Sequence, residues 1–93
     1  MAVSFLHVFL KPKEGVTSDQ VKEKMDLALD WYKYADDCWV VKTTSEIEKW
    51  QARLKPLAEP DGSLLIFKLD ASKRQGWLAK SFWKWLRDAG SDE

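Results

Sequence analysis

The chain has 93 residues, with 15 basic and 15 acidic side chains, six tryptophans and a single cysteine, Cys38. This length predicts one domain with a small core, in which large aromatic side chains supply much of the buried area. The zero formal net charge argues against non-specific nucleic-acid binding, which relies on a basic excess, and one cysteine excludes both an internal disulfide and a cysteine-based zinc site.

Residues 3–10 predict the first strand, which is apolar on both faces. Phe5, His7 and Phe9 alternate along one face, and leucine and valine occupy the other. The strand ends at Pro12, because proline cannot continue a central ladder. Two apolar faces predict that the sheet is covered on both sides.

A first helix is predicted after this strand. Thr17 is a suitable N-cap, and Gln20 three residues later completes a capping box. Apolar side chains then recur at helical spacing: Val21, Met25, Ala28 and Leu29. Such a stripe is typical of a helix with one buried face.

Residues 31–34 and 38–43 predict two strands joined by a turn at Asp36 and Asp37. So short a link requires antiparallel strands, and hence a hairpin. The alternative for residues 31–34 is that they form the last turn of the first helix.

A second helix is predicted from Ser45, which is a candidate N-cap with Glu48 at the third helical position. Its apolar stripe is Ile47, Trp50, Leu54 and Leu57. Pro60 to Gly62 break the chain, and the nearly continuous apolar run at residues 63–70 predicts a strand in the sheet interior.

A third amphipathic helix is predicted at residues 77–88. Its apolar stripe is Leu78, Phe82, Trp85, Leu86 and Ala89. Gly90 is placed to end this helix, and residues 91–93 are expected to fray.

The order β-α-β-β-α-β-α predicts a single α+β domain over residues 1–93, with a ferredoxin-like split-βαβ arrangement and an additional C-terminal helix. Right-handed crossovers would place the first and third strands at the centre of the sheet and both core helices on one face. The other face then needs a cover, which is the third helix, a partner subunit or a ligand. We expect any function to reside on that face.

No residue pattern predicts catalysis, a cofactor or a metal site. His7 is the sole histidine, the four glycines are isolated from one another, and no phosphate-binding loop is present. The carboxylates to consider for metal chemistry are Asp36, Asp37 and Asp70. The first two are explained by their position in a turn, where aspartate is common. Asp70 is explained by its position at the end of a strand.

Aromatic and basic residues do alternate on one candidate face of the sheet. Phe5, His7 and Phe9 would lie beside Lys42 and Lys68, and RNA-binding domains of this fold stack bases on sheet aromatics. The sequence pattern of those domains is absent. The alternative is that these phenylalanines pack beneath the third helix or a dimer partner.

Several segments resemble one known family. In order along the chain they are Cys38–Thr43, Leu54-Lys55-Pro56, Leu64–Leu69, Gln75-Gly76-Trp77-Leu78, Trp83 and Trp85. Together they resemble the small bacterial proteins of the SinR family, which look like relatives of CRISPR-associated spacer-adaptor proteins and of a virulence-associated ribonuclease toxin. The resemblance implies a ferredoxin-like protomer that dimerises and, in some branches, a metal-dependent nuclease.

The nuclease branches carry an acidic residue near the end of the first strand, where this chain has Leu10. Leucine has no oxygen ligand for a hard cation. We therefore carry over no catalytic residue and expect a non-catalytic, dimer-forming interaction module. The alternatives are a metal-dependent nuclease or toxin-like protein, and a sheet-face nucleic-acid binder.

The expected partners are a second copy of the chain or another protein, and net charge does not support nucleic acid. His7 and Lys11 interrupt the first apolar segment, so no signal peptide is expected. No stretch is apolar enough to span a membrane, and the expected location is the cytoplasm.

Overall fold

The computed structural model describes residues 2–70 and 74–91, and these form an α+β protein with a four-stranded antiparallel sheet and three helices. The strands are β1 (Ser4–Lys11), β2 (Asp30–Ala35), β3 (Cys38–Thr43) and β4 (Ser63–Leu69). The helices are α1 (Ser18–Met25), α2 (Ile47–Ala58) and α3 (Lys80–Ser91). The elements follow one another in the predicted order.

The sheet has the strand order β2-β3-β1-β4, and every neighbouring pair is antiparallel. His7 of β1 stands between Val40 of β3 and Phe67 of β4. Directly opposed residues share a face of the sheet, so this register assigns each side chain to one of two faces. We call the face that packs on α1 and α2 the inner face, and the other the outer face.

The inner face encloses the larger core together with α1 and α2. Its buried residues come from two strands and both helices: Leu6, Val8, Leu10, Val21, Met25, Trp39, Val41, Trp50, Leu54 and Ala58. Trp50 is fully buried, and its indole N–H donates to Thr43 Oγ1 at 3.0 Å. This fully buried tryptophan therefore has a partner for its one polar atom, as a buried indole requires.

The outer face is partly covered by α3. A second core forms there from Phe5, Val40, Phe82, Leu86 and Ala89. The third helix, which is one of the three covers considered from the sequence, packs on part of this face. It covers β2, β3 and the beginning of β1, and this incomplete cover determines which residues remain accessible.

β4 is an edge strand, so the predicted interior position was wrong. Leu64 and Ile66 pack against the inner core, whereas Leu65 and Phe67 on the outer face are exposed. The continuous apolar run reflects one packed face and one uncovered face.

The start of α1 confirms the predicted capping box. The Thr17 hydroxyl accepts from the Gln20 backbone N–H at 3.2 Å, and the Gln20 side chain accepts from the Thr17 backbone N–H at 2.8 Å. The predicted stripe was too long, however, because α1 ends at Met25. Leu29 lies in the following turn and is 59% exposed.

The hairpin of β2 and β3 is confirmed, and the alternative that residues 31–34 continue the first helix is wrong. The predicted cap of the second helix is also wrong, because α2 begins after Glu46, whose side chain makes no capping bond. The backbone N–H of Ser45 donates to Thr43 Oγ1 at 3.0 Å, and this bond holds Ser45 in the turn before α2.

α3 begins at Lys80 and not at Trp77, which is 98% exposed. Gly90 lies within the helix and does not end it. Residues 91–93 were expected to fray. Ser91 is the last residue of α3, and residues 92–93 lie outside the described residues.

Candidate interaction surface

Phe5 and Lys42, two of the five residues predicted to form a binding face, lie beneath α3. The Phe5 ring meets Trp85 edge-on, with ring centroids 6.3 Å apart and an angle of 84° between the planes. Lys42 lies opposite Phe5 on β3, and its buried Nζ donates to the carbonyl oxygen of Ala89 at 2.8 Å. Cations are favoured at the carbonyl end of a helix, so both residues hold α3 on the sheet.

Lys68 lies on the inner face, away from the other four predicted residues. It stands opposite Leu6 in the register of β1 and β4, and Leu6 belongs to the inner core. Its predicted membership of the binding face is therefore wrong. That prediction depended on the register between the first and last strands, and a one-residue change of register moves a side chain to the other face.

His7 is half-buried on the outer face, where it forms a polar pair with Tyr34. His7 Nε2 is hydrogen-bonded to the Tyr34 hydroxyl, and the two ring centroids are 5.6 Å apart. Burial lowers the pKa of His7, so the imidazole is mainly neutral at pH 7. Burial also raises the pKa of Tyr34, and the charge and hydrogen bond of Cys38 act in the same direction.

An uncovered apolar row lies along β4 and was not singled out from the sequence. Leu65, Phe67 and Leu69 are 50%, 56% and 37% exposed on the outer face. We call these three residues the β4 row. On β1, Phe9 stands opposite Leu65 and His7 opposite Phe67, so the apolar surface continues from the edge towards the sheet centre.

The β4 row could have been found only with knowledge of the strand order. Alternate residues of an apolar run point to one face, but the run itself does not reveal whether that face is covered. Here α3 covers the part of the outer face formed by β2, β3 and the beginning of β1, and leaves the β4 row accessible.

Two grooves border this surface. One lies between α3 and the sheet, encloses about 280 Å³, and is lined by His7, Tyr34, Leu69, Leu78 and Phe82 among others. The other runs between α2 and β4, encloses about 270 Å³, and is lined by Ile47, Glu48, Gln51, Leu64, Leu65 and Ile66. The first extends the apolar outer face, whereas the second follows the free edge of β4.

The carboxylates considered from the sequence do not form one cluster, because Asp70 lines the groove between α3 and the sheet whereas Asp36 and Asp37 lie in the β2–β3 turn. Asp36 and Asp37 form the turn between β2 and β3, where Asp37 has φ 63°, and Asp70 directly follows β4. Within residues 2–70 and 74–91, no three His, Cys, Asp or Glu side chains are grouped so that they could hold a metal ion.

Comparison of the chain with protein-family models, with curated proteins and with solved structures found no match. In the part of the chain that the structure describes, no helix has both the length and the apolar character needed to cross a membrane.

Proposed function

We propose that this protein is a non-catalytic, ferredoxin-like interaction module that associates with a second copy of itself at the β4 row. The strand order β2-β3-β1-β4, with α1 and α2 together on the inner face, supports the ferredoxin-like assignment. The SinR-family relationship belongs to the same proposal, since it also implies a dimer of such protomers.

The observation that carries the proposal is the uncovered β4 row. Three large apolar side chains, 50%, 56% and 37% exposed, lie side by side on one face of an edge strand. Exposed apolar patches of this kind on a folded domain mark interaction surfaces. Each Å² of these side chains that an interface removes from water would contribute about 25 cal/mol of association free energy.

The charge of the protein is compatible with self-association. The formal net charge is zero, so two copies approach each other without long-range repulsion. Within the β4 row itself there is no charged side chain, and its burial therefore carries no cost of removing an ion from water.

The structure gives less support to nucleic-acid binding on the sheet. Of the five residues suggested for that role, Phe5 and Lys42 are covered by α3 and Lys68 lies on the inner face. His7 and Phe9 remain accessible on the outer face, and neither supplies the positive charge that phosphate contacts need at neutral pH.

The oligomeric state tests the proposal directly. We expect sedimentation velocity over a range of protein concentrations to show a reversible dimer. Phe67→Lys should shift the protein to monomer, because it places two charges in the shared apolar surface. Leu29→Lys is the matched control, since Leu29 is equally exposed at 59% but lies in the turn after α1.

Each outcome has a defined meaning for the proposal. A dimer that is lost in Phe67→Lys and kept in Leu29→Lys supports it. A monomer at all concentrations, or a dimer that Phe67→Lys leaves unchanged, would overturn it. Circular dichroism of both variants verifies that they are folded before the comparison is made.

A further inference from the structure

The two edges of the sheet differ in how they are protected against pairing with another strand. The β2 edge carries an irregularity between Lys33 and Ala35 in its register with β3, and the charged residues Asp30 and Lys33 lie on this short strand. Bulges and charges are the devices by which proteins protect an exposed edge. The β2 edge is therefore a poor template for strand addition.

The β4 edge has fewer of these devices, since its register has no irregularity and it carries a single charge. All seven residues from Ser63 to Leu69 pair with β1 in an unbroken register. The strand contains no glycine or proline, and Lys68 is its sole charged residue. Among the described residues β1 is the one strand paired with β4, so the opposite side of β4 offers backbone hydrogen-bonding groups to an incoming strand.

We propose that β4 pairs antiparallel with β4 of a second copy about a two-fold axis at Ile66, so that the two sheets join into one. This inference rests on the proposed function and specifies how the dimer forms. Ile66 is the middle residue of the seven, and an axis there gives the longest shared ladder.

This register is complementary on the outer face. Residues at equal distances on either side of Ile66 face each other, so Leu65 of one copy stands opposite Phe67 of the other. Aromatic and aliphatic residues in directly opposed positions stabilise antiparallel strands. The same pairing occurs twice about the axis and places the two β4 rows side by side.

The register is also complementary in charge on the inner face. Lys68 of the second copy lies opposite Leu64, and Leu64 lines the groove between α2 and β4 together with Glu48. Lys68 and Glu48 are both exposed, and the ion pairs within the described residues do not include either of them. Two symmetric Lys68–Glu48 ion pairs would then form between the copies.

Disulfide formation tests the position of the axis. In a Cys38→Ser background, Ile66→Cys places two thiols directly opposite each other across the axis. Ser63→Cys is the control on the same strand, since its two copies would lie about 20 Å apart. We expect Ile66→Cys to form the linked dimer at least about tenfold faster under mild oxidation, because disulfides require Cβ atoms within about 4.5 Å.

Exchange of the charges at positions 48 and 68 gives a second test. Both residues are exposed, so the substitutions are not expected to unfold the protein. Glu48→Lys alone and Lys68→Glu alone should each weaken the dimer about tenfold, because each removes two attractions and adds two repulsions. The double variant should recover near wild-type affinity, because its ion pairs form with reversed sign. Face-to-face packing of the outer faces would not respond to these inner-face charges.

The outcomes separate this inference from the function on which it rests. If the wild-type protein sediments as a monomer at all concentrations, both the proposed function and the strand pairing are overturned. A dimer that is sensitive to Phe67→Lys, but in which the two cysteine variants react at equal rates or the double charge variant shows no recovery, overturns the strand pairing and leaves the interaction module standing.

Discussion

The ammonium group of Lys42 lies 2.8 Å from the carbonyl oxygen of Ala89 and joins the middle of the sheet to the last turn of α3. Lys42 is buried, although it is charged. A buried charge is tolerated where it is hydrogen-bonded and faces an opposite partial charge. This contact fixes α3 over the outer face, and thereby fixes which part of that face stays open.

Replacement of Lys42 by methionine is expected to destabilise the protein by about 2 kcal/mol, because the hydrogen bond from a charged donor to the Ala89 carbonyl oxygen is lost. Urea unfolding followed by circular dichroism measures this change. Lys80→Met is the control, since Lys80 is exposed at the start of α3, and it should change stability by less than about 0.5 kcal/mol. Equal effects of the two substitutions would contradict the anchoring role.

Replacement of Thr43 by valine is expected to cost about 2 kcal/mol of stability. The valine has a similar shape but leaves the buried Trp50 indole N–H without its acceptor, and the backbone N–H of Ser45 loses the same oxygen. The neighbouring Thr44→Val is the matched control and should be nearly neutral. Urea unfolding of both variants makes the comparison, and a neutral Thr43→Val would mean that the indole finds another partner.

Gly62 is required by close backbone contacts. A Cβ atom at this position would lie 2.2 Å from the Lys11 carbonyl oxygen and 2.7 Å from that of Ala58. We expect Gly62→Ala to cost about 3 kcal/mol, because neither backbone can move without disturbing β1 or α2.

Gly15 supplies the comparison for that substitution. It has φ 93° but open space around the position of a Cβ, so Gly15→Ala meets no clash and should cost about 1 kcal/mol from backbone conformation alone. Thermal and urea unfolding of the two alanine variants rank the costs. A larger loss in Gly15→Ala than in Gly62→Ala would contradict the packing at the end of α2.

Stability is expected to fall as the pH falls through the titration of His7. Burial lowers the pKa of His7 below its usual value of about 6.5. Between the folded-state pKa and pH 6.5, His7 is protonated in most unfolded molecules but neutral in most folded ones. The contribution of His7 to the free energy of unfolding is therefore fully present above pH 6.5. It decreases as the pH falls towards the folded-state pKa and is lost below that pKa.

NMR titration of the imidazole protons measures the pKa of His7 directly, and urea unfolding at pH 7.5 and 5.5 measures its consequence. The difference in unfolding free energy between these two pH values should be smaller in His7→Gln than in the wild type. A His7 pKa above 6.5, or an unchanged pH dependence in the variant, would show that burial is not the dominant influence on this side chain.

Local sequence signals located most elements well. The Thr17–Gln20 capping box, the short link between β2 and β3, and the α3 stripe each depend on residues within one helix or one hairpin. In each case the deciding interaction lies close in sequence. Signals of this range placed the α+β architecture and the aromatic hairpin without knowledge of the tertiary structure.

Local signals misplaced some helix ends, whereas the errors at the candidate site concern contacts between distant parts of the chain. Lys68 was placed on the wrong face because its side depends on the register of β4 against β1, which lies more than fifty residues earlier. Likewise, Phe5 and Lys42 look available until α3 is placed over them. The β4 row is accessible because α3 covers only part of the outer face. No local sequence pattern indicates how far that cover extends.

The position of α3 in the chain has a consequence for biosynthesis. All four strands emerge from the ribosome before the helix that covers Phe5 and Val40. Before α3 docks, a sheet formed by these strands would therefore expose Phe5 and Val40 as well as the β4 row. Docking of α3 buries the first of these two apolar surfaces and leaves the β4 row exposed, so that the two surfaces are accessible at different stages of folding.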